Sequence, residues 1–133
     1  MLNESGLKKR AQLIQAIRRF FIDRDYIEVE TPLRLPVLIP EEHNEPVESG
    51  SHFLQTSPEI CMKRLLAEAG CRKIFQICKC FRNKERGDRH IPEFTMLEWY
   101  RTHCDYLAIM EECEDFIIDV ARATGHSRSI SVR

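Results

Sequence analysis

The chain has 133 residues, 43% of them hydrophobic and 31% charged, with a formal net charge of −1. That length supports one domain with a modest core, and the charge excludes a protein drawn to nucleic acid by its global field. Arg and Lys interrupt the first apolar stretch, so nothing reads as a signal peptide or a membrane span, and a cytoplasmic location is expected.

Six Cys in this length raise the possibility of a disulfide scaffold. Long helical patterns and the lack of a targeting segment argue instead for free thiols in a reducing compartment. Zinc sites want paired ligands, whereas Cys71, Cys78 and Cys80 are separated by six residues and by one. Cys78 and Cys80 share a strand face and are read as small core residues, so no metal site is assigned.

In chain order, Ser5 is the expected cap of a helix reaching about Arg24. Leu7, Ala11, Ile14, Ile17 and Phe21 form its apolar stripe. Ile27, Val29 and Thr31 alternate with Glu28 and Glu30, which predicts a strand closed by Pro32. Pro32 to Gly50 reads as an irregular connection, with four prolines and an acidic run from Glu41 to Glu45. A short strand is expected over Phe53 to Thr56.

Ser57-Pro58-Glu59 then has the form of a helix start, with a hydroxyl cap, proline at the first helical position and an acid in the first turn. That helix should stop at Gly70. Ile74 to Arg82 and Pro92 to Arg101 are read as antiparallel strands across the 83–91 loop. Asp105 caps a last helix to about Ala123, with Leu107, Met110, Cys113 or Phe116, Ile117 and Val120 facing inward. Gly125 ends it, and 126–133 is expected to be a frayed tail.

The second of those strands is the most informative segment. Phe94, Met96, Glu98 and Tyr100 alternate with Thr95, Leu97 and Trp99. A ring, a carboxylate and a phenol on one face make a poor core, because a buried carboxylate is costly unless something meets it. That face is read as a binding floor, beside Arg82, whose planar fork suits a phosphate. Glu85, Arg86, Asp88 and Arg89 are read as a solvated hairpin tip.

FRNKERGDRHIPEFTMLEWY, Phe81 to Tyr100, resembles motif 2 of class II aminoacyl-tRNA synthetases in its lysine-specific form. FFIDRDYIEVETP, Phe20 to Pro32, looks like motif 1, and LQTSPEICMKRLL, Leu54 to Leu66, is similar to the segment that helps hold the amino acid. The spelling is closest to the lysyl-tRNA synthetase paralogues that attach a lysine-type amino acid to elongation factor P. Nothing before motif 1 is long enough to be an anticodon-binding domain, which favours the same subfamily.

The resemblance implies an α+β fold, with a partial class II antiparallel sheet and flanking helices over residues 1–125. It implies ATP-dependent activation and ligation of lysine or a lysine analogue, with Mg²⁺ accompanying the ATP and elongation factor P, or otherwise tRNA, as acceptor. Arg82 then matches the arginine that grips the α-phosphate and the amino-acid carboxylate. Asn83, Lys84, His90 and Phe94 fall in the ATP-binding stretch, His90 toward the outer phosphates and Phe94 under adenine. Ser57, Pro58, Glu59, Glu98 and Tyr100 match the amino-acid site, with Glu59 on the α-ammonium group and Glu98 and Tyr100 on the ε-ammonium group. Pro32 matches the proline of motif 1, where class II subunits meet as homodimers.

This sequence departs from the family at two positions. Lys84 stands where FRNE has Glu, and Ile91 where HNPEF has Asn. No segment patterned like motif 3 follows. The expectation is therefore a partial catalytic domain whose isolated chain is inactive, with a non-catalytic binding or dimerisation module as the rival reading.

Overall fold

The computed structural model describes residues 3–37, 44–83, 87 and 90–126. The chain forms two compact units, Met1–Ile27 with Arg101–Arg133, and Glu28–Tyr100.

The first unit is a helix pair, α1 (Glu4–Ile22) and α3 (Tyr106–Ala123). Asn3, not Ser5, caps α1, its side chain accepting from the Gly6 N–H at 2.9 Å. Asn is as good an acceptor there as Ser, and it stands one residue ahead of the first acidic turn. The end of α1 turns on Asp25 at φ 62°, with Tyr26 N–H donating to Phe21 O and Asp25 N–H to Ile22 O. This is the bond pair that glycine usually allows. Asp105 caps α3 as expected, accepting from the Ala108 N–H at 3.0 Å. At its far end His126 donates to Ala121 O and Gly125, at φ 78°, to Arg122 O.

The core of this unit is aromatic. Phe20, Phe21, Tyr26 and Phe116 meet mostly edge to face, Phe20 and Phe116 at 5.3 Å and Phe21 and Tyr26 at 5.1 Å between centroids. Ala16, Ile17 and Val120 complete it. The stripe expected on α1 is corrected in its first half. Leu7 is 57% exposed and Ala11 is exposed, so burial begins only at Ala16 and Ile17. On α3, Leu107, Met110 and Ile117 are exposed while Glu112 is buried. An acid displaces those apolar residues because Tyr26 Oη donates to Glu112 Oε1 and Arg101 Nη1 lies 3.5 Å from Glu112 Oε2. Arg24 closes the unit, stacked 3.6 Å over the Phe20 ring and paired with Asp119 at 3.0 Å.

The second unit carries two three-stranded sheets flanked by α2 (Glu59–Ala69). One has the order β1 (Ile27–Glu28), β5 (Lys73–Phe81), β6 (Glu93–Arg101). The other has the order β2 (Arg34–Leu35), β4 (His52–Leu54), β3 (Val47–Ser49), antiparallel throughout, with Arg34 opposite Leu54 and Glu48 opposite Phe53. The connection read as irregular therefore contains two strands. Both are too short to show a period, and Gly50 at φ 63° makes the tight turn between β3 and β4. The strand expected over Phe53 to Thr56 lies instead at His52–Leu54, and the one expected through Thr31 shrinks to two residues. Val29 N–H nevertheless still reaches Phe75 O at 2.9 Å.

The limit of α2 at Gly70, φ 66°, is where the sequence put it. Its start is shifted, because Pro58 rather than Ser57 is the N-cap residue and no cap side chain bonds there. The turn tip, including Lys84, Glu85, Arg86, Asp88 and Arg89, lies outside the described residues. So do most of the acidic run, through residue 43, and the tail 127–133.

Candidate active site on the paired strands β5 and β6

Arg82 N–H donates to Pro92 O at 2.9 Å, so the end of β5 meets the start of β6 and the strands run antiparallel. Alternation then puts Gln76, Cys78, Cys80 and Arg82 on one face of β5, and Phe94, Met96, Glu98 and Tyr100 on one face of β6. Three contacts between the strands, and one within β6, describe how these two rows share a side. The Arg82 guanidinium carbon lies 5.2 Å from the Phe94 ring centroid. Cys80 Sγ lies 3.9 Å from Met96 Sδ. Tyr100 Oη donates to Glu98 Oε1 at 2.5 Å. The Glu98 charge acts on both Cys78 and Cys80.

Arg82 is oriented by its second contact, Nε donating to the carbonyl of buried Thr56 at 3.4 Å. Gln55, buried beside it in sequence, donates to Lys79 O at 2.8 Å, and its own backbone carbonyl accepts from the Phe81 N–H. The segment Gln55 to Pro58 is thereby held against the end of β5, all four residues being buried. Glu59 follows at the first turn of α2, paired with Lys63. The Lys63 ammonium lies 5.9 Å from the Tyr100 ring centroid, which brings Glu59, Lys63, Glu98 and Tyr100 into one neighbourhood.

The electrostatics are those of a half-buried acceptor site. Burial first, then donation to Glu98, then the Glu98 and Glu59 charges hold the Tyr100 phenol well above its ordinary value. It is a neutral donor across the physiological range. The side-chain oxygens of Gln55 and Gln76, residues 1% and 2% exposed, have no hydrogen-bond partner among the described residues. Buried acceptors without donors are costly, and an ammonium group carries three donors.

Arg82, Phe94, Glu59, Glu98 and Tyr100 are thus brought together, with Ser57 and Pro58 buried behind them. Asn83 and His90 are exposed on the turn, where Gly87 and His90 exchange backbone hydrogen bonds at 3.2 and 3.3 Å. Pro32 stands apart. It lines a hollow of about 230 Å³ with Thr31, Cys61, Arg64 and Leu65. Lys63, Gln55 and Gln76 are neighbours the sequence reading did not single out. Only Lys63 carried a signal, its spacing of four from Glu59 on a helix. Among the described residues no three His, Cys, Asp or Glu stand together to hold a metal. No helix among them is long and apolar enough to cross a membrane.

An antiparallel floor with an arginine beside a ring is the arrangement that the resemblance to class II synthetases implies. The comparisons agree: the family described as tRNA synthetases class II (D, K and N) matches residues 3–132, and this chain belongs to it. The elongation factor P–(R)-β-lysine ligases of Salmonella paratyphi B and Salmonella heidelberg are 47% identical over 125 residues. That alignment covers 86% of this chain and 38% of either relative, so the chain spans well under half the length of the curated proteins it matches. In fold, the crystal structure of asparaginyl-tRNA synthetase from Pyrococcus horikoshii, complexed with asparaginyl-adenylate, superimposes with a TM-score of 0.78. That similarity, at 21% identity, covers 89% of this chain and 28% of that one.

Proposed function

We propose that this chain supplies the ATP- and lysine-binding floor of a ligase that activates a lysine-type amino acid and transfers it to elongation factor P. The observation that carries the reading is the placement of Arg82 against Phe94 on the same sheet face as Glu98 and Tyr100. Phe94 takes the adenine ring, a stacking contact worth roughly 1–3 kcal/mol. Arg82 bridges the α-phosphate and the amino-acid carboxylate, neutralising both as they approach. A carboxylate oxygen attacks the α-phosphorus in line, the bond from that phosphorus to the bridging oxygen breaks, and pyrophosphate leaves with the electron pair. An acceptor amine then attacks the acyl carbon and AMP departs.

Glu59 takes the amino group near the carboxylate, and Glu98 with Tyr100 takes the distal ammonium. Asn83, Lys84 and His90 are assigned to ATP. Mg²⁺ would come with the triphosphate, its ligands not found among the described residues. Pro32 and the exposed Leu7 and Leu13 of α1 support a homodimer, and six free thiols support a cytoplasmic setting.

Calorimetric titration with sulfamoyl-adenosine mimics of lysyl, (R)-β-lysyl and leucyl adenylate tests the proposal. Both lysine-type mimics should bind and the leucyl mimic should not. Equal binding of the leucyl mimic, or unchanged binding by Arg82→Ala, would refute it.

A further inference from the structure

Cys78, Cys80 and Met96 present three sulfurs on the face just described, a grouping that the proposed ligase chemistry leaves unused. Cys78 Sγ and Cys80 Sγ are 3.8 Å apart, and Cys80 Sγ and Met96 Sδ are 3.9 Å apart. We propose that these three side chains form a binding site for a soft monovalent cation, Cu(I). Metal–sulfur bonds of about 2.3 Å in a three-coordinate complex set the donors about 4 Å apart, and both separations through Cys80 already have that value.

Position and donor type select the ion. Cys80 is fully buried, whereas Cys78 and Met96 are both half-buried and give solvent its access to the site. Thiolate with thioether is a soft set and suits Cu(I). Zinc wants four ligands, and the described residues offer no third His, Cys, Asp or Glu to this pair. A disulfide would need the two sulfurs to close from 3.8 Å to about 2.05 Å within one extended strand, against its geometry. The nearby Glu98 charge raises both thiols but attracts a cation. Binding then replaces two S–H bonds with two Cu–S bonds, releases two protons to solvent and leaves the metal's oxidation state unchanged.

The test is anaerobic titration of the reduced chain with Cu(I) against the coloured chelator bicinchoninate. One equivalent should be withdrawn from the chelator, with two protons released and affinity falling as pH falls. Cys78→Ser should weaken uptake by about 100-fold and Met96→Leu by about tenfold, whereas Cys61→Ser, on α2, should leave it unchanged. Cys78 is half-buried, so its serine variant is the one least disturbing to the fold, and unfolding midpoints of all variants provide the control. Uptake that survives Cys78→Ser, is indifferent to Met96→Leu, or is abolished by an equal concentration of Zn(II) would overturn the proposal.

Discussion

The two units treat buried polar groups in opposite ways. In the helical unit Glu112 is closed on both sides, one oxygen accepting from Tyr26 and the other facing Arg101. In the sheet unit the amide oxygens of Gln55 and Gln76 are just as buried and have no donor among the described residues. Closed polar clusters specify a fold, whereas open ones hold binding free energy in reserve for a ligand. Thr31 Oγ1, at the hollow beside Pro32, is a third such oxygen in that unit, so it is the position of Gln55 and Gln76 beside Cys78 on the floor that ties them to the candidate site.

The comparison is most easily broken at Glu112. Glu112→Ala strands the Tyr26 phenol in the core and should cost about 3 kcal/mol in denaturant unfolding, near the lower end for such losses because Arg101 is one-third exposed. A loss below 1 kcal/mol would mean the cluster is no closed structural unit. Glu98→Gln should do the reverse. It should weaken binding of a lysyl-adenylate mimic by roughly 2 kcal/mol, about thirtyfold, while stability changes by less than 1 kcal/mol. A large stability loss in that variant would make Glu98 a fold residue.

Alkali sharpens the contrast further. Burial, followed by donation to a carboxylate, raises both Tyr26 and Tyr100 above the ordinary phenol value. Their stabilisation is complete below the unfolded value near pH 10 and is lost as pH rises toward the folded one. Between about pH 10 and 12, each phenol should therefore steepen the decline by about 1.4 kcal/mol per pH unit. Denaturant titrations at stepped pH should show Tyr26→Phe removing one such contribution. The smallest effect is expected for Gln76→Met, which deletes an unpartnered acceptor and should raise stability by about 1 kcal/mol while impairing the mimic's binding. Destabilisation would show that the contact of the Gln76 amide with Cys78 outweighs its unpartnered oxygen.

Where the sequence carried a period or a stop, it was legible. The alternation from Phe94 to Tyr100 placed the floor, and Gly70 and Asp105 set the limits of two helices. Strands β2 and β3, of two and three residues, were invisible because they are shorter than any period. The inward face of α3 was misjudged because apolar spacing cannot foresee that Tyr26 would draw Glu112 inward. Gln55 and Gln76 escaped notice for a related reason. An amide in a strand looks solvated until the fold shows what covers it.

The Glu59–Lys63 pair has a consequence for how a ligand arrives. One of the protein's own ammonium groups sits at a carboxylate assigned to the incoming amino acid, near the Tyr100 ring. On the proposed reading, loading the site is an ion exchange rather than the filling of a vacant charge. At Glu59 one ion pair replaces another, so the salt dependence of affinity should come from Glu98 and Arg82, which gain charged partners, and little of it from Glu59. Discrimination then rests on reach, because a short amine could replace the Lys63 contact but could not also span to Glu98.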